Sequence, residues 1–222
     1  MIIGNGLIAK TLNSCNHKNY TLLASGVANS VCPQKADFDR EISLINTIDI
    51  KNCLVYFSTV SIYDNELKKR PYILHKLAME QLIAKQFNDY IILRLPNIAA
   101  IAGNINTLIP AFYQKIINNE QVIISENANR YLLNQSQLCS IINQVLEKKE
   151  KNITINCVFK KSYTVKDIYI ALCNIMQQNS NYKTIKGGNF YTVPTSHNFE
   201  LFHTDLYSML KAAINYNETL QE

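Results

Sequence analysis

The sequence lacks the hydrophobic segments that mark membrane and secreted proteins. No apolar run in its 222 residues reaches the length of a membrane span. The first residues also lack the basic region and short apolar core of a secretory signal. These two absences predict a protein that stays in the cytoplasm and has no membrane partner.

The cysteine and histidine patterns that hold metals are missing as well. The chain has six cysteines but no Cys-x-x-Cys and no paired histidines, which argues against a zinc site and against a disulfide framework. We therefore expect no metal and reduced, mostly buried thiols. The cysteines are Cys15, Cys32, Cys53, Cys139, Cys157 and Cys173.

The charge is too small and too scattered to indicate a nucleic-acid partner. The formal net charge is +5, and the lysine clusters lie at predicted loops and helix ends without aromatic residues between them. Solvated edges explain such clusters better than a nucleic-acid groove does. Because 47% of the residues are hydrophobic, the chain can bury a substantial core, as one domain or one domain with a small lobe.

Strand and helix patterns alternate along the chain. The run Cys53-Leu54-Val55-Tyr56-Phe57 has no polar alternation, which is typical of parallel strands buried on both faces. The alternation predicts a doubly wound α/β fold with five parallel strands in chain order and the first strand at an edge. The predicted strands are 1–3, 20–25, 53–58, 90–95 and 153–158, and the predicted helices are 6–14, 38–48, 72–87, 106–118, 135–148 and 164–177.

Tyr72 and Lys76 are the first candidate catalytic pair. Four residues apart on a predicted helix, they lie on one face, one turn from each other. Two charges about 5 Å apart interact by roughly 3 kcal/mol at an effective dielectric near 20, enough to lower a phenol pKa by about two units. Tyr72 could then act as an acid/base, with the Thr59 hydroxyl holding the substrate oxygen.

Each of these motifs also has a purely structural interpretation. Tyr182 and Lys186 repeat the Tyr-x-x-x-Lys spacing without any neighbouring motif, so spacing alone is weak. Three further candidates have structural interpretations too. The glycine-containing segment from Gly4 to Ala9 could be a tight turn, Ser58 and Thr59 could be ordinary strand residues, and Asn97 could be a turn residue. Their positions at the carboxyl ends of successive predicted parallel strands favour the functional interpretation, because ligands bind open α/β sheets there.

Taken in order, these motifs resemble the extended short-chain dehydrogenase/reductase family, the NAD-dependent epimerases and dehydratases that act on nucleotide-sugars. The similarity covers most of the chain. It runs through Met1-Ile2-Ile3-Gly4-Asn5-Gly6-Leu7-Ile8-Ala9, Phe57-Ser58-Thr59, Tyr72-Ile73-Leu74-His75-Lys76, Leu93-Arg94-Leu95-Pro96-Asn97, Asn129-Arg130-Tyr131-Leu132-Leu133-Asn134 and the segment 156–165.

The resemblance implies a Rossmann-like sheet that binds NAD or NADP, a nucleotide-sugar substrate, a possible homodimer, and a role in bacterial surface-polysaccharide synthesis. Residues 1–103 would form the cofactor-binding part, and residues 104–222 a small substrate lobe interleaved with the last strand and helices of the sheet. The implied catalytic residues are Thr59, Tyr72 and Lys76. The implied cofactor residues are Gly4, Gly6, Leu7, Ile8, Ala24, Ser25, Gly26, Ser58, Tyr72, Lys76 and Pro96, and the implied substrate residues are Thr59, Asn97 and Arg130.

The chain departs from the family pattern where relatives hold the adenosine. About 20 residues after the glycines, an acidic residue normally binds the ribose, but this chain has Leu22-Leu23-Ala24-Ser25-Gly26 there, and no arginine near Ser25 clearly replaces the acid for a 2′-phosphate. The usual second and third strands are missing. Two functions therefore stay open: an active oxidoreductase or epimerase, which we favour, and an inactive relative that binds a nucleotide-sugar or a protein.

Overall fold

The central element of the structure, a computed structural model, is a five-stranded parallel sheet in the order β1-β2-β3-β4-β9. The structure describes residues 1–15, 18–27, 34–195, 197–199 and 205–219, with only the backbone of 216–219. The predicted fold class, strand order and edge position of the first strand are confirmed. The strands of this sheet are β1 (Ile2–Ile3), β2 (Tyr20–Leu23), β3 (Cys53–Thr59), β4 (Tyr90–Leu95) and β9 (Ile153–Asn156).

One row of aliphatic side chains crosses all five strands. Its members pair in register from one strand to the next: Ile2, Leu22, Val55, Ile91 and Ile153. Every residue of β3 is buried, because this central strand has a neighbour on each side and helices over both faces. Such burial accounts for the uninterrupted apolar run that the sequence shows there.

Helices cover both faces of the sheet, as a doubly wound fold requires. Val55 and Phe57 of β3 pack in a core with α1 and α5, whereas Leu54 and Tyr56 pack in another with α2 and α3. Successive strand residues thus face opposite layers. The helices are α1 (Leu7–Leu12), α2 (Lys35–Ile45), α3 (Pro71–Gln86), α4 (Leu108–Ile117), α5 (Gln135–Lys148), α6 (Val165–Ile175) and α7 (Leu206–Thr219), and a 3₁₀ turn spans Val60–Tyr63.

The residues after Gly103 build a second core beside the sheet. Helices α4, α6 and α7 contribute to it, with Ile109, Phe112, Ile168, Leu172 and Leu210 among its buried members. Short strand pairs accompany these helices. Strand β6 (Val122–Ser125) runs parallel to β11 (Tyr182–Ile185), β7 (Asn129–Arg130) runs antiparallel to β10 (Tyr163–Thr164), and β5 (Asn97–Ile98) runs parallel to β8 (Leu132–Leu133).

The cysteines require one correction. Cys15 follows α1 and Cys139 lies on α5, and the two are paired as a disulfide with their Cα atoms 5.7 Å apart. The prediction of reduced thiols is wrong for this pair, because the packing of α1 against α5 joins positions 124 residues apart. Cys53, Cys157 and Cys173 are free and buried as predicted, and Cys32 lies outside the described residues.

No helix in the described ranges is long and apolar enough to cross a membrane. No cluster of three or more histidine, cysteine, aspartate or glutamate side chains with a metal-binding arrangement occurs in that part of the chain.

Candidate active site

A cavity of about 540 Å³ opens at the carboxyl ends of the parallel strands. Twelve of the predicted site residues line it: Gly6, Leu7, Ile8, Ala24, Ser25, Gly26, Ser58, Thr59, Tyr72, Lys76, Pro96 and Asn97. Gly4 and Arg130 are the two predicted residues that do not line it. No aspartate, glutamate or histidine is among the described residues of its wall.

The glycine turn has two glycines with different roles. Gly4 has φ +133°, and a Cβ there would lie 2.4 Å from the Ala24 carbonyl oxygen, so the turn can pack against the end of β2 only with glycine. Gly6 precedes α1, and a Cβ at Gly6 would meet nothing within 4 Å. Gly4 therefore fixes the turn against β2, and Gly6 leaves open space beside the cavity.

Thr59 and Tyr72 face each other across the cavity wall. Thr59 ends β3, Tyr72 lies in the first turn of α3, and both side chains line the cavity, where the Thr59 hydroxyl acts to lower the pKa of Tyr72 against the larger effect of burial, which raises it. The Thr59 side chain also accepts a hydrogen bond from the Ser61 backbone N–H at 3.1 Å, which fixes its position. Two hydroxyl groups thus meet where a substrate oxygen could contact both.

Lys76 is buried below Tyr72 and is fully engaged with protein groups. Its Nζ donates to the Tyr56 hydroxyl at 3.0 Å, to Glu41 Oε1 at 3.2 Å and to the Phe57 carbonyl at 3.4 Å. An ammonium has three donors, so these bonds account for all of them. Glu41 lies on α2 and is fully buried, which makes the contact with Lys76 an internal ion pair.

Glu41 is the hub of this buried network. It accepts hydrogen bonds from the Val27 backbone N–H at 2.7 Å and from the Tyr56 hydroxyl at 2.7 Å, and its Oε2 lies 3.0 Å from His75 Nε2. Burial alone would raise the pKa of Glu41, but the His75 hydrogen bond, the Lys76 ammonium and the other donors together lower it to about 2. The carboxylate is therefore ionised at neutral pH and balances Lys76.

This pairing changes the expected chemistry of Tyr72. The sequence predicts that Lys76 lowers the pKa of Tyr72, whereas burial and then the negative charge of Glu41 raise it, with only the Thr59 hydrogen bond opposing them. Lys76 fails to lower this pKa because its charge is compensated by Glu41. The phenol consequently holds its proton at neutral pH.

A second network fixes the wall beside Thr59. Ser58 Oγ donates to Glu80 Oε1 at 2.5 Å, and Arg94 on β4 binds both oxygens of Glu80, with Nη2 2.6 Å from Oε2 and Nε 3.0 Å from Oε1. Arg94 Nη1 also donates to the Tyr63 hydroxyl at 2.9 Å. These bonds join α3 to both central strands, so the residues at the strand ends are held in place.

Arg130 lies outside the cavity. Its Nη1 donates to the Asn129 carbonyl at 2.7 Å and lies 3.5 Å from Asp64 Oδ2. Asp64 is buried and also accepts from the Asn189 amide at 3.4 Å. The guanidinium is thus held by Asn129 and Asp64, and Arg130 does not line the cavity.

The sequence interpretation missed the acidic partner of Lys76. Glu41 lies three residues after Phe38 and four before Ile45, at a position of α2 that should be apolar if the helix packs on the sheet. A glutamate at a core position of a helix is the feature that could have identified it, since buried carboxylates need partners.

Comparisons with known proteins agree with the fold. No family model matches the chain. A GDP-6-deoxy-D-talose 4-dehydrogenase from Aggregatibacter actinomycetemcomitans is 26% identical over 168 residues, which cover 63% of this chain and 57% of that protein. The matched part is therefore less than two thirds of the relative's length.

Several solved structures superpose on the chain. The Bordetella bronchiseptica enzyme WbmH in complex with NAD⁺ gives a TM-score of 0.70 at 15% identity, covering 96% of this chain and 79% of that one. RMD from Pseudomonas aeruginosa complexed with NADPH gives 0.68 at 13% identity, covering 90% and 82%. The UDP-glucuronic acid 4-epimerase from Bacillus cereus in complex with UDP-glucuronic acid and NAD gives 0.67 at 15% identity, covering 97% and 79%. These superpositions show that the chain shares the Rossmann-like fold of these proteins.

Proposed function

We propose that the chain is an NAD(P)-dependent enzyme of the short-chain dehydrogenase/reductase type that acts on a nucleotide-sugar, with Tyr72 as the acid/base. The observation that carries the proposal is that Thr59 and Tyr72 line one cavity together with Gly6 of the glycine turn. The GDP-sugar dehydrogenase and the NAD-bound and NADPH-bound structures support the same chemistry.

The cavity suits a dinucleotide in size and charge. Its volume lies within the range of about 300–1,000 Å³ that small-molecule sites occupy. The open space at Gly6 leaves room for a pyrophosphate at the backbone of Gly6, Leu7 and Ile8, in a turn that Gly4 fixes against β2, and no described acidic side chain of the wall repels it. We place the rest of the cofactor along Ala24, Ser25, Gly26 and Ser58, with Pro96 beside the nicotinamide. When bound, the nicotinamide supplies or accepts the hydride.

The state of Tyr72 favours proton donation. Its raised pKa means that the phenol is protonated at neutral pH, so it can give a proton to a carbonyl oxygen that Thr59 holds. Reduction of a keto-sugar is therefore the direction that the site supports best. Lys76 would bind the nicotinamide ribose in exchange for its bonds to Tyr56 and the Phe57 carbonyl.

The sugar nucleotide is assigned to the other side of the cavity. Asn97 lines the wall there, and we assign residues 104–222 to substrate binding and residues 1–103 to the cofactor. Arg130 can take part only if the nucleotide draws it away from Asp64. A role in bacterial surface-polysaccharide synthesis in the cytoplasm, and dimerisation through α3, complete the proposal by analogy with the family.

An inactive relative that binds a nucleotide-sugar or a protein is the second candidate function. One observation favours it: every donor of Lys76 is already bound inside the protein. The sheet also ends at β1, so the described part of the chain provides no strands that would enclose the adenosine.

Binding and turnover assays separate the two candidates. Calorimetric titration of the purified protein with NAD⁺, NADP⁺ and their reduced forms tests the cofactor site. Incubation with a dinucleotide and a panel containing GDP-6-deoxy-D-talose, UDP-glucose and UDP-glucuronic acid, followed by absorbance at 340 nm and by NMR, tests turnover. Dinucleotide binding together with conversion of one sugar supports the enzyme. Neither binding nor conversion supports the inactive relative.

A further inference from the structure

Hydrogen bonds to Ser25, which follows β2, hold Arg40 at the cavity. It lies on α2, and its Nη1 donates to the Ser25 carbonyl oxygen at 3.2 Å and to Ser25 Oγ at 3.1 Å. Both bonds use the same guanidinium nitrogen, and Arg40 is one of the residues that line the cavity. No local sequence pattern connects Arg40 with Ser25, because 15 residues separate them.

Arg40 carries the unbalanced positive charge of this cavity. Of the described residues in the wall, only Arg40 and Lys76 are cationic. Lys76 is buried and paired with Glu41, whereas no ion pair within the described ranges includes Arg40. With no described acid in the wall, an anion entering the cavity meets an attractive field from one side chain.

We infer that Arg40, held by Ser25, binds a phosphate group of the dinucleotide cofactor. This inference rests on the proposed function. A guanidinium has five N–H donors in a planar fork, and a phosphate can accept two of them in parallel. Arg40 has donors left on Nη2 and Nε that make no bond to another described residue. The family's acidic ribose site is missing, so Arg40 provides a different contact near the end of β2.

Two phosphate groups of the cofactor have the required chemistry. The pyrophosphate occurs in both NAD and NADP, and the 2′-phosphate occurs in NADP alone. Both are oxyanions that a guanidinium binds through charge-assisted hydrogen bonds, and comparison of the two cofactors separates them.

The test compares two charge-removing substitutions on one helix. Arg40→Gln removes the proposed contact, whereas Lys35→Gln removes the same charge from an exposed residue of α2 that does not line the cavity. Both variants and the parent are titrated with NAD⁺, NADP⁺ and inorganic pyrophosphate by calorimetry, after thermal unfolding shows that they are folded. We expect Arg40→Gln to weaken dinucleotide binding by roughly 10- to 100-fold, and Lys35→Gln to leave it unchanged.

Each outcome decides the inference. Equal losses for both dinucleotides assign Arg40 to the pyrophosphate, and a loss confined to NADP⁺ assigns it to the 2′-phosphate. Unchanged affinity for both dinucleotides, or an equal loss in Lys35→Gln, overturns the inference. A parent that binds no dinucleotide contradicts the proposed function instead. In that case, binding of pyrophosphate by the parent but not by Arg40→Gln supports Arg40 as a phosphate-binding residue. Any other result with pyrophosphate contradicts it.

Discussion

At the scale of single residues, Glu41 determines the electrostatics of the site. Its carboxylate lies in the core and pairs with Lys76. Burial raises the pKa of Tyr72, and the negative charge of Glu41 raises it further. A buried ion pair costs desolvation energy, and its geometry here joins α2 to α3 directly beneath the cavity. The stability of the protein should therefore depend on the ionisation of Glu41.

The first prediction concerns Glu41 and acid. Its folded pKa of about 2 lies below the reference value of 4.5, so the carboxylate stabilises the fold above pH 4.5, and this contribution is lost as the pH falls from 4.5 to 2. The full contribution is about 3 kcal/mol, of which about 2 kcal/mol is lost by pH 3. In urea unfolding, the stability gap between wild type and Glu41→Gln should shrink by about that amount between pH 7 and pH 3.

The matched control for this experiment is Glu66→Gln, which changes an exposed carboxylate. Its free energy of unfolding should follow that of the wild type at both pH values. A gap for Glu41→Gln that stays the same at pH 7 and pH 3 contradicts the assignment of Glu41 as an ionised, buried hub.

Thr59 is the second residue whose role can be isolated. Thr59→Val keeps the shape of the side chain and deletes the hydroxyl that contacts Tyr72, so turnover should fall by about 10²-fold. Loss of the bond from the Ser61 N–H should cost only about 1 kcal/mol of stability. Thr59→Ser retains the hydroxyl and should retain most of the activity. Steady-state rates at saturating substrate provide the measurement, and equal rates for the Val and Ser variants would contradict the role.

At the scale of elements, the glycine turn between β1 and α1 contains two glycines for which we expect different roles. Gly4 is required by the backbone packing of the turn, and Gly6 is the glycine proposed to leave room for the cofactor. Gly4→Ala puts a Cβ 2.4 Å from the Ala24 carbonyl at a φ of +133°, so it should destabilise the protein by about 3 kcal/mol. Gly6→Ala meets no atom within 4 Å and should leave the free energy of unfolding unchanged within about 0.5 kcal/mol.

Gly6→Ala should affect dinucleotide affinity even though it leaves the stability unchanged. The methyl group of Gly6→Ala enters the space assigned to the pyrophosphate, so this stable variant should bind NAD⁺ and NADP⁺ more weakly than the wild type in calorimetry. Unchanged affinity in Gly6→Ala would move the pyrophosphate away from the turn.

The elements of the main sheet are those that the sequence predicts best. The run Cys53–Phe57 and the other apolar runs specify strands that are buried on both faces, and the structure places all five in the predicted order. The pairings of β6 with β11 and of β7 with β10 were not predicted, because residues about 60 and about 34 apart join there through long-range packing. Helix α7 was missed as well.

The site shows the same division between local and long-range information. Thr59, Tyr72 and the glycine turn could be named as candidates because each lies at a recognisable position of a strand end or helix start, and the structure places Thr59, Tyr72 and Gly6 in the wall of one cavity. Glu41 and Arg40 were missed because their roles depend on how α2 docks against β2 and α3, which no local pattern records. The Lys76–Glu41 pair also explains why the predicted pKa of Tyr72 was wrong in direction.

At the scale of the whole molecule, the chain combines a five-stranded sheet with a cavity at the strand ends that Thr59, Tyr72 and Lys76 line. The sheet begins at β1, without further described strands outside it, yet the chain matches solved structures over 90% or more of its length. Under the proposed function, the described part of the chain has no strand beyond β1 to enclose the adenosine, whereas the carboxyl ends of β3 and β4 and the start of α3 line the cavity. Weak dinucleotide binding with normal proton transfer is the combination that this architecture favours.

The most direct test of the central claim compares Tyr72→Phe with Tyr182→Phe in conversion of a nucleotide-sugar, followed by NMR in the presence of NADPH or NAD⁺. Tyr182 shares the Tyr-x-x-x-Lys spacing but lies on β11, outside the cavity. We predict that the wild type and Tyr182→Phe convert the sugar at equal rates and that Tyr72→Phe is slower by about 10² to 10⁴. Conversion by Tyr72→Phe at the wild-type rate, or no conversion of any sugar by the wild type, would contradict the claim.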